Sequence, residues 1–533
     1  MSETHVNTGK AAGSSGDRAA RSFPFNRLNW IIICIGVLLR VAQYASNRSL
    51  WLDETLLAPS IVSRSYAGLL RPLDNYQAAP IPFLMAERFF VETFGSNEYA
   101  LRLFPLVCGI AGLFLLYFVA KRVLRPEGVP VALGLFAISG PLIYFSSELK
   151  QYSSDVAVTL GLYAVAIILG KSSLSARKLF LFGALGAIAV WLSHPAVFVL
   201  AAVAVGWAHQ CRREKQNWKL LVVALAFLLP VLSLTVEYFT VLRGPSQSPA
   251  LLTGYRWMPF PPKSIKDIYW FVWNFFCCFT NPGGLRFTGL AAFCFLVGVW
   301  TFLRENRENA YMFLLPGLFA LLASGVHKYP FFERLLLFLV PAMLLFLSQG
   351  AAVIKERLGG RGSAIWGLMI TLIFLHPTFF ALWHVVQPRT RNEVKPVLSY
   401  VQQHRQPGDL IYVDYASRPG FKYYAERFGF SDKDYVIGVM ARPGHWEDYT
   451  NDFDKMRGSK RVWFVFLWAN NWGGQPADEP GAWLYHLGLM GKRIDEFKGK
   501  GASTYLFDLS EEAARKAIPR GPEIPVEVPL YVD

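Results

Sequence analysis

Long apolar blocks almost free of charged residues dominate the first 387 residues of this chain. Several approach the roughly 20 residues that a helix needs to cross a bilayer core. The block 179–210 is long enough for two crossings joined at Ser193, His194 and Pro195. We therefore predict a polytopic α-helical membrane protein and not a water-soluble enzyme. The blocks are 31–45, 101–120, 129–145, 155–170, 179–210, 219–236, 286–303, 311–326, 334–354 and 364–387.

Basic residues recur in every second loop between these blocks, at Lys121, Lys171, Arg213, Arg304 and Lys355. Loops rich in Lys and Arg stay cytoplasmic, because moving their charges across the membrane is costly. With the N-terminus inside, this alternation predicts about eleven crossings and an external C-terminus. The remaining loops then face outward.

The formal charge of +15 belongs to the membrane region. From residue 385 onward the chain has 20 basic and 20 acidic residues, so the preceding part carries the whole excess. Basic residues confined to alternate short loops are typical of membrane topology, whereas a nucleic-acid binder concentrates them on one surface. We expect the lipid bilayer as a partner and no nucleic acid.

Composition divides the chain into three predicted parts. Residues 1–28 are rich in Gly, Ser and Ala and are predicted to form a disordered cytoplasmic N-terminus. Residues 29–387 form the membrane domain, which includes external loops 47–98 and 238–285. Residues 388–533 alternate helices with strands at 409–415, at 435–440, from 461 and from 503, which predicts a small, mostly parallel sheet covered on both faces. This external domain has no G-x-G-x-x-G or P-loop, so we expect no nucleotide site.

The two long external loops differ from simple connections. Residues 81–94 place apolar side chains at helical spacing with charged residues toward one side, which predicts an amphipathic helix at the outer interface. The stretch 238–285 is rich in Tyr and Trp, which favour the headgroup level. We expect both loops to roof a cavity at the outer leaflet.

Two adjacent carboxylates, Asp53 and Glu54, directly follow the first crossing in the sequence SLWLDE. Two neighbouring carboxylates cannot both be buried and ionised cheaply. One can pair with a cation while the other serves as a base. The alternative is structural, with Asp53 capping a helix that starts at Thr55.

The order of motifs along the chain resembles the GT-C superfamily of polyprenyl-phosphate-sugar glycosyltransferases, in particular bacterial relatives of protein O-mannosyltransferases and of the aminoarabinose transferase acting on lipid A. The likeness covers almost the whole chain. The motifs are Arg40 followed by W-x-D-E at 51–54, then FGSNEYALRLFPLVCGIAGLFLLYFVAKR, LKQYSSDV, YPFFERLLLFLVPAMLLF and the tail V-x-x-H-R-Q-P-G-D-L-I-Y-V.

The resemblance implies a donor sugar linked through phosphate to a polyprenol. An acceptor hydroxyl attacks the anomeric carbon, the lipid phosphate leaves, and a single displacement inverts that centre. Asp53 matches the acidic residue of the first external loop that acts as catalytic base or orients the acceptor in such enzymes. We assign Asp53 and Glu54 to catalysis on this basis.

A leaving phosphate needs positive charge at the outer leaflet. Lys150 and Arg334 lie at predicted external ends of crossings, where they either bind the phosphate or pair with Glu148 or Glu333. Arg71 is a third candidate, with a structural role as its alternative.

Further residues at external ends are candidates for substrate binding. Asp155 begins a crossing and either orients substrate or starts the helix; His194 either contacts substrate or forms the turn before Pro195. We also assign Tyr152, His327 and Tyr329, which stand in the motifs at the external ends, to substrate binding. No His, Cys or Asp cluster has metal-ligand spacing, so we expect no cofactor and no metal requirement.

These features predict a multi-pass enzyme of the bacterial inner membrane whose C-terminal domain is periplasmic. The acceptor is a glycan or a lipid-linked molecule of the cell envelope. Two other classes have the same hydropathy: a lipid or glycan transporter, which often shows internal repeats, and a non-catalytic polysaccharide-assembly subunit. The chain shows no convincing internal repeat, and an assembly subunit does not need a W-x-D-E motif beside a roofed cavity.

Overall fold

We analysed the chain as a computed structural model. Residues 1–15 of the stretch predicted to be disordered, 1–28, lie outside the described part. A helix begins at Gly16 and includes the rest of that stretch. The structure describes residues 16–246, 257–440, 446–467 and 479–516.

The chain divides into two compact units. The membrane unit comprises Met1–Asn47 and Ser60–Arg389, and the sheet unit comprises Arg48–Pro59 and Thr390–Asp533. The short segment Arg48–Pro59, which contains both predicted catalytic carboxylates, therefore groups with the C-terminal residues. Hydropathy gives no sign of this grouping, because it registers only neighbours along the chain.

The membrane unit is almost wholly helical. Every predicted apolar block coincides with helix, because a backbone in hydrocarbon must satisfy its N–H and C=O groups internally. A 3₁₀ segment, Glu333–Leu339, precedes α15. The helices are α1 (Gly16–Ala45), α2 (Leu52–Ser63, which begins in the sheet unit), α3 (Ile81–Phe94), α4 (Ala100–Val123), α5 (Gly128–Ile138), α6 (Gly140–Phe145), α7 (Tyr152–Gly170), α8 (Ala176–Leu192), α9 (Ala196–Arg213), α10 (Trp218–Glu237), α11 (Arg243–Ser246), α12 (Ile265–Thr280), α13 (Thr288–Glu305), α14 (Arg307–Gly325), α15 (Val340–Leu358) and α16 (Ser363–Val386).

Seven helical spans within the described ranges are long and apolar enough to cross a membrane. The other four predicted crossings coincide with α8, α9, α14 and the pair α5 and α6, which are helical but shorter or less apolar. The protein is a multi-span helical membrane protein, as predicted; the count of eleven crossings stays a prediction. The seven spans are Asn26–Ala45, Ala100–Val123, Tyr152–Gly170, Trp218–Leu242, Thr288–Glu305, Glu333–Leu358 and Ser363–Val386.

Helices α13 and α15 pack unusually closely because glycines lie at their contact. A Cβ added to Gly298 would come within 1.8 Å of the Phe346 carbonyl oxygen, and one added to Gly350 within 1.8 Å of the Cys294 carbonyl oxygen. Small residues at such positions allow membrane helices to approach backbone to backbone. Any larger side chain at either glycine would separate the two helices.

Ion pairs connect the basic loops at one end of the membrane unit. Arg125, after α4, bonds both Glu305 at the end of α13 and Glu356 at the end of α15. Glu308, at the start of α14, contacts Arg213 at the end of α9 at 2.8 Å. The structure thus gathers several of the predicted cytoplasmic loops at one end of the helices, which supports their predicted alternation. Their orientation in a membrane stays a prediction.

The sheet unit contains five strands in the order β2-β1-β3-β5-β4. Strand β1 pairs in parallel with β2 and β3, while β5 pairs antiparallel with β3 and β4. The elements are α17 (Val394–His404), β1 (Leu410–Val413), α18 (Arg418–Ala425), β2 (Tyr435–Ile437), α19 (Trp446–Asp454), β3 (Val462–Phe466), α20 (Glu479–Met490), β4 (Lys492–Gly499), β5 (Ala502–Asp508) and α21 (Glu511–Lys516).

Both faces of the central strand β3 are covered, as predicted. Successive side chains of a strand point to opposite faces. Phe464 packs in a core with Phe453 of α19 and Trp483 of α20, whereas Trp463 meets Tyr400 of α17 on the other face.

The observed sheet has fewer parallel pairings than the sequence predicted, because no strand was predicted at the position of β4. Its sequence, KRIDEFKG, alternates little and is largely exposed at the sheet edge. An edge strand with charged side chains lacks the apolar alternation by which strands are recognised in a sequence. The result is a mixed sheet with two parallel and two antiparallel pairings.

Candidate functional site

The predicted catalytic carboxylates lie in the first turn of α2. The helix begins at Leu52, so Asp53 is inside the helix and does not cap a segment starting at Thr55. Glu54 accepts the backbone N–H of Trp51, the residue before the helix, at 3.2 Å. This contact is one half of a capping box, in which a carboxylate three residues into a helix satisfies an otherwise unpaired N–H.

The two neighbouring carboxylates therefore have different surroundings. The side chain of Glu54 is fully buried, whereas Asp53 is half-buried and accessible. The helix N-terminus also stabilises negative charge at both positions. Glu54 therefore has a structural contact at the start of the helix, and Asp53 is the more exposed of the two carboxylates.

In the membrane unit, two predicted phosphate ligands lie beside the N-terminal end of α7. Lys150, two residues before the helix, is buried and donates from Nζ to Gln77 Oε1 at 2.8 Å. The guanidinium carbon of Arg334 lies 5.8 Å from the centre of the Tyr152 ring, and Tyr152 is the first residue of α7. The structure thus brings Lys150, Tyr152 and Arg334 to the same helix end.

Three ionisable groups from different elements form a cluster that begins with Asp155, in the first turn of α7. Asp155, in the first turn of α7, is 6% exposed and within electrostatic range of His194, which lies in the turn between α8 and α9. Nε2 of His194 lies 3.3 Å from Oε1 of Glu237, at the end of α10. Glu237 is only 1% exposed. A histidine between two buried carboxylates is a polar site inside an otherwise apolar helical bundle.

Glu237 and Gln77 are two residues of these clusters that were not predicted from the sequence. A signal for Glu237 was present, since it is the one carboxylate in the apolar stretch 219–242, and ionisable residues within membrane helices are rarely incidental. No sequence signal marks Gln77, because its importance depends entirely on its contact with Lys150 across the fold.

The remaining predicted site residues lie apart from the α7 end or have other contacts. Arg71 is exposed and lines a shallow pocket that also includes Gln77. His327 is exposed at a φ of 55°, with its ring 5.1 Å from that of Trp257. The hydroxyl of Tyr329 donates to the Leu335 carbonyl at 2.7 Å.

The described residues contain no group of three or more His, Cys, Asp or Glu side chains that could hold a metal ion. Independence from metal stays a prediction.

No protein-family model and no curated protein matches the chain. Several solved structures do match the chain. ArnT from Cupriavidus metallidurans bound to undecaprenyl phosphate is 12% identical, with a TM-score of 0.53 over 92% of this chain and 99% of that one. The apo state of the same protein gives a TM-score of 0.52 at the same identity and coverage.

AglB, an archaeal oligosaccharyltransferase from Archaeoglobus fulgidus in complex with an inhibitory peptide and a dolichol-phosphate, is 10% identical, with a TM-score of 0.49 over 90% of this chain and 74% of that one. A likeness to ArnT over nearly the full length of both chains, at an identity this low, concerns architecture. The chain therefore has the fold of ArnT, in agreement with the resemblance seen in its motif order.

Proposed function

We propose that the chain is a membrane glycosyltransferase that moves a sugar from a polyprenyl-phosphate-linked donor to an acceptor hydroxyl at the outer face of the bacterial inner membrane. The observation that carries the proposal is the full-length fold likeness to ArnT, which was captured with undecaprenyl phosphate. The product is a lipopolysaccharide, a polysaccharide or another cell-envelope glycan.

The basic groups beside α7 fit the donor phosphate. Lys150 and Arg334 supply two positive charges there, and the N-terminal end of α7 adds the partial positive charge of the helix dipole. Charge-assisted hydrogen bonds to a phosphate are roughly twice as strong as neutral ones. Arg334 can grip two phosphate oxygens with its planar fork, whereas Lys150 acts as a point charge. Arg71 is the peripheral member of this set.

Asp53 is the proposed general base. Its carboxylate takes the proton of the acceptor hydroxyl as the oxygen forms a bond to the anomeric carbon. The bond from that carbon to the phosphate oxygen breaks, and its electron pair leaves with the polyprenyl phosphate. Lys150 and Arg334 stabilise the charge that develops on this leaving group. One displacement inverts the anomeric centre.

The polar cluster of Asp155, His194 and Glu237 fits the binding of sugar or acceptor hydroxyls. These buried groups can both accept and donate hydrogen bonds, and a site built from them rejects ligands that leave them unpaired. Tyr152 contributes its ring beneath Arg334. Tyr329 contributes through its ring, since its hydroxyl donates to a backbone carbonyl. His327 is the exposed member of this set.

The test is a deletion strain analysed by mass spectrometry of lipid-linked sugars and surface glycans. A transferase predicts that one polyprenyl-phosphate sugar accumulates and one glycan loses that sugar, and that wild type but not Asp53→Asn restores both. Restoration by Asp53→Asn would contradict the proposal and favour the transporter or the assembly subunit. Restoration by neither would show only that the complementing chains were not produced, so their membrane levels are measured by immunoblotting first.

A further inference from the structure

Three consecutive residues before α2 are fixed by the C-terminal part of the sheet unit. The first is Ser49, whose Oγ accepts the backbone N–H of Lys395 at 3.0 Å and lies 3.3 Å from a carboxylate oxygen of Glu393. Lys395 N–H belongs to the first turn of α17, and Glu393 provides no side-chain cap for that helix. Ser49 therefore acts as a helix cap from a distant part of the chain.

The second residue is Leu50. Its backbone N–H donates to the hydroxyl of Tyr424, on α18, at 2.8 Å. Both residues have no exposed surface. A buried N–H that loses its acceptor costs about 1–3 kcal/mol. The hydroxyl of Tyr424 thus fixes where the backbone of the segment lies.

The third residue is Trp51. The guanidinium carbon of Arg391 lies 3.9 Å from the centre of its ring, and Trp51 is 8% exposed. Arg391 is itself held by its neighbour Asn392, whose Nδ2 donates to the carbonyls of Leu467 at 3.1 Å and Gly501 at 2.7 Å. The sheet therefore determines the position of the cation that lies over the indole.

A close backbone approach supports this arrangement. Gly501 has a φ of 65°, and a Cβ there would come within 2.2 Å of the Arg391 carbonyl oxygen. Only glycine allows the turn between β4 and β5 to meet the Arg391 backbone so closely. The turn and Asn392 together restrict the chain on both sides of Arg391.

The geometry points to a role for the C-terminal domain in catalysis: Ser49, Tyr424 and Arg391 are positioning residues that fix the first turn of α2 and thereby aim Asp53. The inference rests on the proposed function, because it assigns Asp53 a catalytic position to be held. Trp51 is the last residue before the helix and its N–H bonds Glu54, so any shift of Trp51 moves the turn that carries Asp53. Misplacing a catalytic group by about 1 Å can cost up to a hundredfold in rate.

The experiment uses the full-length protein in nanodiscs. Turnover is the release of undecaprenyl phosphate from undecaprenyl-phosphate glucose, mannose, galactose or arabinose, with membranes of the deletion strain as the source of acceptor. Affinity is measured by titration with undecaprenyl phosphate, and hydrogen exchange is followed in a peptide covering 48–59. The variants are Tyr424→Phe, Arg391→Ala and Arg391→Lys.

Matched controls exist in the same unit. Tyr423, next to Tyr424, bonds Arg427 at 3.3 Å, and Arg405 lies over Phe430 at 4.9 Å. Tyr423→Phe therefore removes a hydroxyl. Arg405→Ala removes a cation over a ring, together with its hydrogen bond to the Gly429 carbonyl and its ion pair with Asp434. Neither substitution removes a described contact of Ser49, Leu50 or Trp51. Both should keep wild-type turnover.

We expect Tyr424→Phe and Arg391→Ala to lower kcat about tenfold, to leave undecaprenyl phosphate affinity within about twofold, and to speed exchange in 48–59. Arg391→Lys should recover part of the rate, because it keeps the charge over the ring. Faster exchange with unchanged kcat, or an equal loss in the control variants, overturns this inference alone. A wild type that releases undecaprenyl phosphate from none of the donors overturns the proposed function, and the inference with it.

Discussion

The guanidinium carbon of Arg391 lies 3.9 Å from the centre of the Trp51 ring, although the two residues are far apart in the sequence. A guanidinium so close to an indole makes a favourable cation–π contact, worth most where water is excluded. Trp51 immediately precedes the helix that carries Asp53 and Glu54. The predicted catalytic segment is therefore part of the C-terminal unit and contacts its residues directly.

Asp53 and Glu54 should respond differently to loss of charge. Asp53→Asn removes the proposed base and should lower turnover about a hundredfold or more, while undecaprenyl phosphate affinity stays near wild type. Glu54→Gln keeps an oxygen that can accept the Trp51 N–H and should retain most turnover. Release of undecaprenyl phosphate is the measurement. Equal losses in the two variants would contradict the division of roles.

Arg334 and Lys150 should govern donor affinity. Arg334→Ala and Lys150→Ala should each weaken undecaprenyl phosphate binding about tenfold or more, because each removes a charge-assisted contact of about 1.5–3 kcal/mol. Arg334→Lys should bind with intermediate affinity. Arg64→Ala is the matched control, since Arg64 already pairs with Asp74 at 2.8 Å. Unchanged affinity in both alanine variants would indicate that Arg334 and Lys150 have structural roles and do not bind the phosphate.

His194 and Glu237 should be coupled. Removing one partner leaves the other buried in a helical bundle, so His194→Gln and Glu237→Gln should each lower the thermal midpoint by a few degrees. The double variant should lose less than the sum of the two losses. Glu92→Gln, in an exposed pair with Arg88, should have little effect. Additive losses in the double variant would argue against a direct interaction.

Asp452 should make the sheet unit sensitive to acid. Burial favours its protonated form, but hydrogen bonds from Lys455, Tyr412 and the Val439 N–H hold the pKa of Asp452 below its usual range. A lowered pKa in the folded state stabilises the fold above the unfolded pKa of about 3.9 and loses that stabilisation as pH falls through the folded value. Asp452→Asn should unfold more easily at pH 7 than wild type, and the difference should shrink below pH 4. Circular dichroism of the full chain across this range is the measurement; a constant difference would exclude this linkage.

Topology can be tested by cysteine labelling in a variant without the native cysteines. In spheroplasts, a membrane-impermeant maleimide should modify Lys422→Cys in the sheet unit and should reach Lys121→Cys or Lys355→Cys only after lysis. All three positions are exposed. The expectation follows from the general rule that loops rich in Lys and Arg stay on the cytoplasmic side. Labelling of Lys121→Cys in intact spheroplasts would reverse the predicted orientation.

Most of the membrane helices were predictable, because apolar length is a local property. The amphipathic helix predicted over 81–94 is observed as Ile81–Phe94. In the sheet unit, β1 and β3 were predicted from their apolar runs, whereas the polar edge strand β4 was not. An edge strand is fixed by its pairing with β5 and not by burial of its own side chains.

The sequence by itself determined where the helices run, which residues stand at their ends, and that Asp53 follows the first crossing beside Trp51 and Glu54. Hydropathy and charge decide these features within a few turns of chain. Only the tertiary structure decided the partners: Gln77 for Lys150, Glu237 for His194, and Tyr424 for the Leu50 N–H, across 374 residues. Such contacts depend on how whole helices and strands pack. No local pattern encodes them, so the placement of the candidate catalytic segment within the C-terminal unit could be read only from the fold.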